Sequence, residues 1–268
     1  AYLLDDPLFL SRTGVFSLTT NNITAMQAVR NRSFYADAQL TKEANLEDAI
    51  AVTWNGYYVL CVNSHCYILD GNQNVAYKPQ SYGDYVYECY YWDNIPAVAF
   101  LEFHGELYFG TADGKICKLN TDIDGMQAYS DGGTKDEDGA IQGGTAIVAE
   151  WYTKADDDGD FMTYKTMVKR GSGVMMKPYT RTKVIVYAKT DRDFGRKIRE
   201  SLLDIFNFWD IDFSRFSFVT NDSPQVVPFN SKVKKYKTLQ LIVRSEGLNE
   251  AFGVFGIIKR YTIGTSVR

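Results

Sequence analysis

Three Asp-x-Asp-Gly tetrads are the clearest candidates for chemistry in this sequence. They begin at Asp122, Asp136 and Asp156, and Asp160 follows the third. Calcium loops need carboxylates clustered on a turn that glycine sharpens. None of the tetrads continues to the bidentate Glu of an EF-hand, and Asp and Gly are also ordinary turn residues. The sequence therefore predicts no cofactor, and it leaves one alternative, a bound Ca²⁺ with Asp156, Asp158 and Asp160 as its ligands.

Other reactive residue types form no catalytic pattern. Glycoside hydrolysis needs two carboxyl groups that face one sugar, and four residues qualify by type alone: Glu88, Glu102, Glu106 and Glu150. Neither His65 nor His104 is accompanied by the Gly-x-Ser-x-Gly turn that presents a nucleophilic serine. The sequence predicts a protein that is not an enzyme, with a propeller-type glycoside hydrolase as one alternative.

The cysteines are predicted to be reduced core residues. All four lie in aromatic, strand-like segments without a Cys-x-x-Cys pair: Cys61, Cys66, Cys89 and Cys117. Only two histidines are available to complete a zinc site, so none is expected. Cys61 and Cys66 have the spacing of residues that face each other across a hairpin.

The elements that must position these residues are predicted to be strands. The chain has 268 residues, of which 45% are hydrophobic and 15% aromatic, and only 6 prolines. Aromatic side chains suit the pleated, half-buried surface of a sheet, so we predict an all-β fold with one or two short helices. No apolar run is long enough to span a membrane, and no signal-peptide pattern opens the chain.

An internal repeat organises the first half of the chain. Trp54-Asn55-Gly56-Tyr57 recurs 49 residues later as Phe103-His104-Gly105-Glu106, and a partial third copy begins at Phe9. A period near 50 with several strands per unit is typical of β-propeller blades. We predict incomplete propeller-like blades over 1–130, with a helical insertion at 24–48. Because the chain opens inside a blade, we expect it to be a C-terminal portion of a longer protein or to close its propeller with another segment.

The second half has a different pattern. Residues 131–144 are rich in Gly and Asp and predict a flexible acidic loop at the domain boundary. Residues 145–268 contain long apolar strands and predict a β-sandwich-like domain, in which 196–206 has the spacing of a short helix. An aromatic run at 206–218 predicts core or interface strands. Aromatic residues and Arg dominate interface energetics, so the predicted assembly contacts are Trp209, Phe213 and Arg215.

Charge is distributed unevenly along the chain. Residues 1–164 contain 9 Lys and Arg against 24 Asp and Glu, a net charge of −15, whereas 165–268 contain 20 against 9, a net charge of +11; together they give −4. Opposite charges on the two halves favour docking between copies, acidic face against basic face. Added salt should then shift the assembly toward monomers. A solvated strand face would explain the same charges without a partner.

Five segments carry a resemblance to known proteins. They are AVTWNGYYVL at 51–60, CYILD at 66–70, LYFGTADGKI at 107–116, NDSPQ at 221–225 and FGVFGIIKRY at 252–261. In these segments the chain resembles proteins encoded in prophages of gut Firmicutes, which look like the propeller-bearing tail hub or nozzle proteins of short-tailed bacteriophages. The resemblance covers most of the chain. Its motifs are structural rather than catalytic, so no functional residue is carried over.

The resemblance implies a non-enzymatic virion structural protein that forms a ring in the tail hub or head-tail connector. Such a protein is made in the bacterial host cytoplasm. Its implied partners are further copies of itself and other tail or connector proteins, with passive contact to DNA in a lumen and no small-molecule substrate. The other alternative is a carbohydrate- or receptor-binding module of the particle, which would need a concave patch of aromatic and carboxylate side chains.

Overall fold

The computed structural model describes residues 1–4, 6–20, 27–76, 85–119, 129–132, 134–135, 141–203 and 224–266. It consists almost entirely of antiparallel strands, which confirms the predicted all-β class. The chain divides into two compact units, Ala1–Thr121 and Asp122–Arg268, so the division precedes the predicted boundary loop. Within the described ranges, no helix has the length and apolar character needed to cross a membrane.

The first unit contains three sheets, in each of which strands that are consecutive in sequence pair with each other. Sheet 1 consists of β1 (Tyr2–Leu3), β2 (Asp6–Ser11), β3 (Gly14–Thr20) and β4 (Gln27–Asn31). Sheet 2 consists of β5 (Ile50–Trp54), β6 (Tyr57–Val62), β7 (His65–Ala76) and β8 (Tyr85–Trp92). Sheet 3 consists of β9 (Ala97–Phe103), β10 (Glu106–Thr111) and β11 (Ile116–Lys118).

Helical structure in the first unit is shorter than predicted. Helix α1 (Asp37–Leu40) and a 3-10 turn at Leu46–Asp48 lie within the predicted insertion at 24–48. However, β4 pairs with β3 along its whole length, because strand pairing satisfies its backbone hydrogen-bonding groups. Sheet 1 therefore has four strands.

Sheet 2 is covered on both faces. On one face, Tyr58 and Leu60 belong to a core shared with Leu8 of sheet 1. On the other face, Val59 packs against Leu107 of sheet 3. Successive side chains of a strand point to opposite faces, so β6 must be apolar at consecutive positions to fill both cores. The three sheets consequently stack in the order 1, 2, 3.

The internal repeat takes the form of two equivalent hairpins. The β5–β6 hairpin turns at Asn55 and Gly56, with φ of 48° and 80°, and the β9–β10 hairpin turns at His104 and Gly105, with φ of 53° and 81°. Two central residues with positive φ form a type I′ turn, whose twist matches that of the flanking strands. A type I′ turn therefore connects the first two strands of both sheet 2 and sheet 3, which confirms the repeat over these hairpins.

The second unit is a β-sandwich, as predicted. Its strands are β16 (Ala149–Tyr152), β17 (Thr163–Met167), β18 (Gly173–Pro178), β19 (Thr182–Thr190), β20 (Arg196–Leu203), β21 (Gln225–Pro228), β22 (Val233–Tyr236), β23 (Leu239–Ser245), β24 (Phe252–Ile258) and β25 (Tyr261–Ser266). One layer has the strand order β16-β23-β19-β20, and the other contains the sheets β22-β17-β25 and β21-β18-β24. Buried residues of both layers form one core that includes Met167, Met176, Val186, Tyr236 and Val243.

Two further predictions for the second unit need correction. The helix expected at 196–206 is wrong for its described part, because β20 pairs with β19 over its length. Ile198 is buried there but Leu202 is exposed, so their four-residue spacing does not mark one helical face. The segment 131–144 is not a loop throughout. Two short ladders involve it, β12 (Ser130–Asp131) with β15 (Thr145–Ala146) and β13 (Thr134–Lys135) with β14 (Ile141–Gln142).

Candidate functional site

Among the described residues, several large apolar side chains are exposed on the outer face of sheet 3. Leu107 points inward to the core with sheet 2, so the alternate residues point away from it. We call this surface the front face; it carries Leu101, Phe103, Tyr108 and Ile116, together with an ion pair of 3.1 Å between Lys118 and Glu106. Leu101, Phe103 and Ile116 are 61%, 56% and 82% exposed. Large exposed apolar side chains grouped on one face with a few polar residues are typical of an interaction site.

Sheet 1 presents a similar surface at the other end of the stack. We call it the back face; it carries Tyr2, Phe9, Phe16, Leu18 and Val29. Phe9 lies opposite Phe16 across β2 and β3, with 6.3 Å between the ring centroids. Leu18 lies opposite Val29, which is 58% exposed. Both ends of the three-sheet stack are therefore apolar.

The repeat shows what the front face is equivalent to. With the 49-residue offset, Phe103 corresponds to Trp54 and Tyr108 corresponds to Val59. Trp54 and Val59 both belong to the core between sheets 2 and 3. The front face of sheet 3 thus corresponds to the face of sheet 2 that another sheet covers. Its composition is that of a surface suited to packing against a further sheet.

The loop predicted to bind calcium is held by two lysines. The Nζ of Lys259 lies 2.6 Å from Asp156 Oδ2 and also pairs with Asp158. The hydrogen bond from Lys259 lowers the pKa of the Asp156 carboxyl. Lys165 is buried, and its ammonium donates to the main-chain carbonyl of Asp160. In the part of the chain that the structure describes, no three His, Cys, Asp or Glu side chains are grouped as a metal site requires. Calcium binding at this loop stays a prediction.

The other predicted site residues are dispersed or lie outside the description. Glu102 lies opposite Leu107, which is the residue next to Glu106 on β10. Glu102 and Glu106 therefore point to opposite faces of sheet 3. Glu150 forms an ion pair of 3.1 Å with Arg244 in the second unit. Three predicted assembly contacts fall outside the described residues: Trp209, Phe213 and Arg215.

His65 belongs to a polar cluster that no sequence motif indicates. Its Nδ1 lies 2.7 Å from Glu43 Oε1, to which the Tyr67 hydroxyl also donates at 2.7 Å. Asn63 donates to the other carboxylate oxygen at 3.0 Å. Burial alone would raise the pKa of Glu43, but these hydrogen bonds outweigh it and hold the pKa below 4.5. The contacts join the segment after α1 to the β6–β7 hairpin, so the cluster fixes one end of sheet 2.

The cysteines are free thiols, as predicted. Cys61 and Cys66 lie directly opposite each other across β6 and β7, and both are buried in the core between sheets 2 and 3. The hydrogen bond between the two thiols and their burial raise the pKa of Cys66. A protonated, buried thiol is a poor nucleophile, which agrees with a packing role.

A groove with aromatic walls lies on the face of sheet 2 that is directed toward sheet 3. It encloses about 350 Å³, and six side chains line it: Trp54, Tyr57, Val59, Ile68, Tyr90 and Trp92. Asp70 and Glu88 lie opposite each other on the same face, across β7 and β8. The Tyr90 hydroxyl donates to Asp70 Oδ2 at 3.2 Å. The groove is concave and aromatic, as the binding-module alternative requires, but among the described residues its lining contains no carboxylate, and Asp70 beside it is 1% exposed. Only the pairing of β7 with β8 brings its two walls together.

No protein-family model matches the sequence, and no curated protein matches it significantly. A functional assignment must therefore come from the surfaces described above.

Proposed function

We propose that this protein is a non-enzymatic structural subunit that assembles with further copies of itself by stacking sheet on sheet. The observation that supports this proposal is the pair of exposed apolar faces at the two ends of the stack. Within the chain, sheets 1, 2 and 3 already bury surfaces of the same kind against each other. Covering the front and back faces would remove further apolar area from water, which stabilises association by about 25 cal/mol per Å².

The two faces differ, so the contact is expected to be head to tail. The front face of one copy would pack against the back face of the next, as sheet 3 packs on sheet 2 within the chain. Such heterologous contacts close into a ring when the rotation between copies allows it. The blade-like stacking is compatible with a propeller-like arrangement. A ring is also what the resemblance to tail hub or connector proteins implies, and we propose that the ring is part of a virion.

Mixing two variants tests this assembly. Phe103→Lys charges the front face and Phe9→Lys charges the back face. Each variant alone should remain monomeric in sedimentation velocity, because every contact needs one face of each kind. An equimolar mixture should form dimers through the one intact face that each variant retains. The matched control is Phe194→Lys, at a position that is 92% exposed in a turn of the second unit, and it should assemble like the unmodified protein.

Either of two results would contradict the proposal. The unmodified protein could remain monomeric at its highest soluble concentration, or the mixture could fail to form dimers although both variants keep native circular dichroism spectra. The virion role has its own test, which is mass spectrometry of particles purified after induction of the host lysogen. Peptides found at several copies per particle support a structural role, whereas peptides confined to the soluble fraction oppose it.

A further inference from the structure

The aromatic groove of sheet 2 has the construction of a cage for a cationic ligand. Trp54 and Tyr57 face each other beside the β5–β6 turn and form one wall. Tyr90 and Trp92 on β8 form the other wall, opposite Ile68 and Cys66 of β7. Tyr57 and Tyr90 are the nearest residues of the two walls. Their strands are separated by β7, and Tyr90 lies two residues further along the sheet, so their bases are about 12 Å apart.

This spacing suits a compact cation between the walls. A cation is attracted to the face of an aromatic ring when it lies within about 6 Å of the ring centroid, and Trp is the most effective ring. A group midway between Tyr57 and Tyr90 would lie about 6 Å from the base of each, and Trp54 and Trp92 lie further out on either side. The enclosed volume of about 350 Å³ is within the usual range for a small-molecule site.

Charge near the groove distinguishes among possible ligands. The six lining side chains are uncharged when the tyrosines are protonated, and Asp70 and Glu88 occupy the adjoining row of the same face. Burial and then the Asp70 carboxylate raise the pKa of Tyr90 to about 12, so its phenol is neutral at physiological pH. The first unit contains 7 Lys and Arg against 13 Asp and Glu, a net charge of −6. Anions are repelled here, and a neutral sugar gains nothing from this field.

We propose that the groove binds an organic cation of the trimethylammonium class. The two aromatic walls would contact the methyl groups, and Asp70 and Glu88 would supply the compensating negative charge. Nothing in this proposal depends on self-assembly, because the front and back faces belong to sheets 3 and 1.

Fluorescence titration of the full chain with choline chloride tests the proposal, because two of the lining residues are tryptophans. The matched probe is 3,3-dimethyl-1-butanol, which has the shape of choline but no charge. We expect saturable quenching by choline and at least tenfold weaker binding of the neutral probe, as loss of cation–π attraction in a partly dry site implies. Sodium chloride at equal concentration controls for ionic strength.

Substitutions in the groove test whether choline binds there. Trp92→Ala should weaken choline binding at least tenfold, and Tyr90→Ala provides an independent second variant if the first does not fold. Trp151→Ala is the matched control, because Trp151 is 43% exposed and Trp92 is 42% exposed, but Trp151 lies in the second unit. Asp70→Asn should lower the affinity for choline while leaving that for the neutral probe unchanged.

Each possible result of these titrations has a different consequence for the proposal. Absence of saturable choline binding overturns the proposal. Equal affinity for choline and dimethylbutanol overturns it as well and identifies a merely apolar groove. Binding of methyl glucoside in preference to choline would replace it with a glycan site. If choline binds, comparison of phosphocholine with a trimethyl-lysine peptide distinguishes a lipid or polymer headgroup from a modified protein as its source.

Discussion

Arg32 joins the first two sheets through a fully buried guanidinium. Its Nε donates to Ser17 Oγ at 2.7 Å, and its Nη1 donates to the Tyr85 carbonyl at 2.7 Å. Nη2 lies 3.0 Å from Asp6 Oδ2, and the guanidinium stacks 3.6 Å from the centre of the Tyr85 ring. Arg can serve several planar contacts at once because its donors are fixed in a fork. One side chain thus connects β2 and β3 of sheet 1 with β8 of sheet 2.

Replacing Arg32 should therefore lower the stability of the folded protein. We expect Arg32→Met to lower the free energy of unfolding by about 3 kcal/mol, since it leaves the Asp6 charge and buried hydrogen-bonding groups without this partner. Arg12→Met, in the exposed turn between β2 and β3, should change it by less than about 0.5 kcal/mol. Urea unfolding of both variants measures the difference, and similar losses for the two would contradict a structural role of Arg32.

The Glu43 cluster predicts a pH-dependent contribution to stability. Its pKa is lower in the folded protein than its usual value of 4.5, so the unfolded chain takes up the proton first as the pH falls. The contribution is complete well above pH 4.5 and disappears as the pH falls through the folded pKa. The stability difference between unmodified protein and Glu43→Gln should therefore be largest near neutral pH and should shrink on acidification. Urea unfolding at a series of pH values measures this difference. Tyr67→Phe removes one of the hydrogen bonds to Glu43, so its stability loss should also shrink on acidification, but by less. A difference that does not vary with pH would rule out this account.

At the scale of elements, the type I′ hairpins are the features that the sequence predicts best. Asn-Gly and His-Gly between apolar residues fix a turn locally, and the turn then fixes the strand register. The strand β20 illustrates the opposite case. Ile198 and Leu202 have helical spacing, but pairing with β19 decides the structure of this segment, and that partner is not visible in a local pattern. The two walls of the aromatic groove could not be predicted for the same reason.

Substitution of three glycines in sheets 2 and 3 distinguishes the cost of backbone strain from the cost of steric crowding. Gly105→Ala should destabilise the protein by about 1 kcal/mol, because φ is 81° and no neighbouring atom lies near the added methyl group. Gly71→Ala should cost more although its φ is not positive, since its Cβ would lie 2.6 Å from the main-chain oxygen of Gly56. Gly110→Ala, in an open strand position without a positive φ, is the control and should not destabilise. Thermal unfolding ranks the three, and equal effects would contradict this explanation.

At the scale of the molecule, two forces could drive assembly. The opposite charges of the two halves predict contacts that salt weakens, whereas the apolar front and back faces predict contacts that it does not. The composition of the chain indicates the first possibility, but only the sheet register identifies which apolar residues share an outer face. Phe9 and Phe16, for example, are seven residues apart and meet only through the β2–β3 pairing.

Salt type distinguishes these forces. Sodium sulfate should increase the sedimenting mass of the unmodified protein, because excluded salts strengthen apolar contacts. Sodium chloride at the same ionic strength should have a much smaller effect. Dissociation by both salts would instead support the electrostatic contact between halves. Phe103→Lys is the control for the surface involved, since its response to sulfate should be lost.

The consecutive pairing of strands in the first unit also determines an order of folding. Each sheet pairs only strands that are neighbours in sequence, so each can form soon after its last strand leaves the ribosome, and such local topologies fold quickly. Sheet 2 can then pack against sheet 1, which has already formed, and sheet 3 can pack against sheet 2. Every new sheet covers the exposed face of the preceding one before another chain needs to approach it. Folding during synthesis would therefore bring the inner faces of the three sheets together within the chain and leave only the two end faces, front and back, for contact with another molecule.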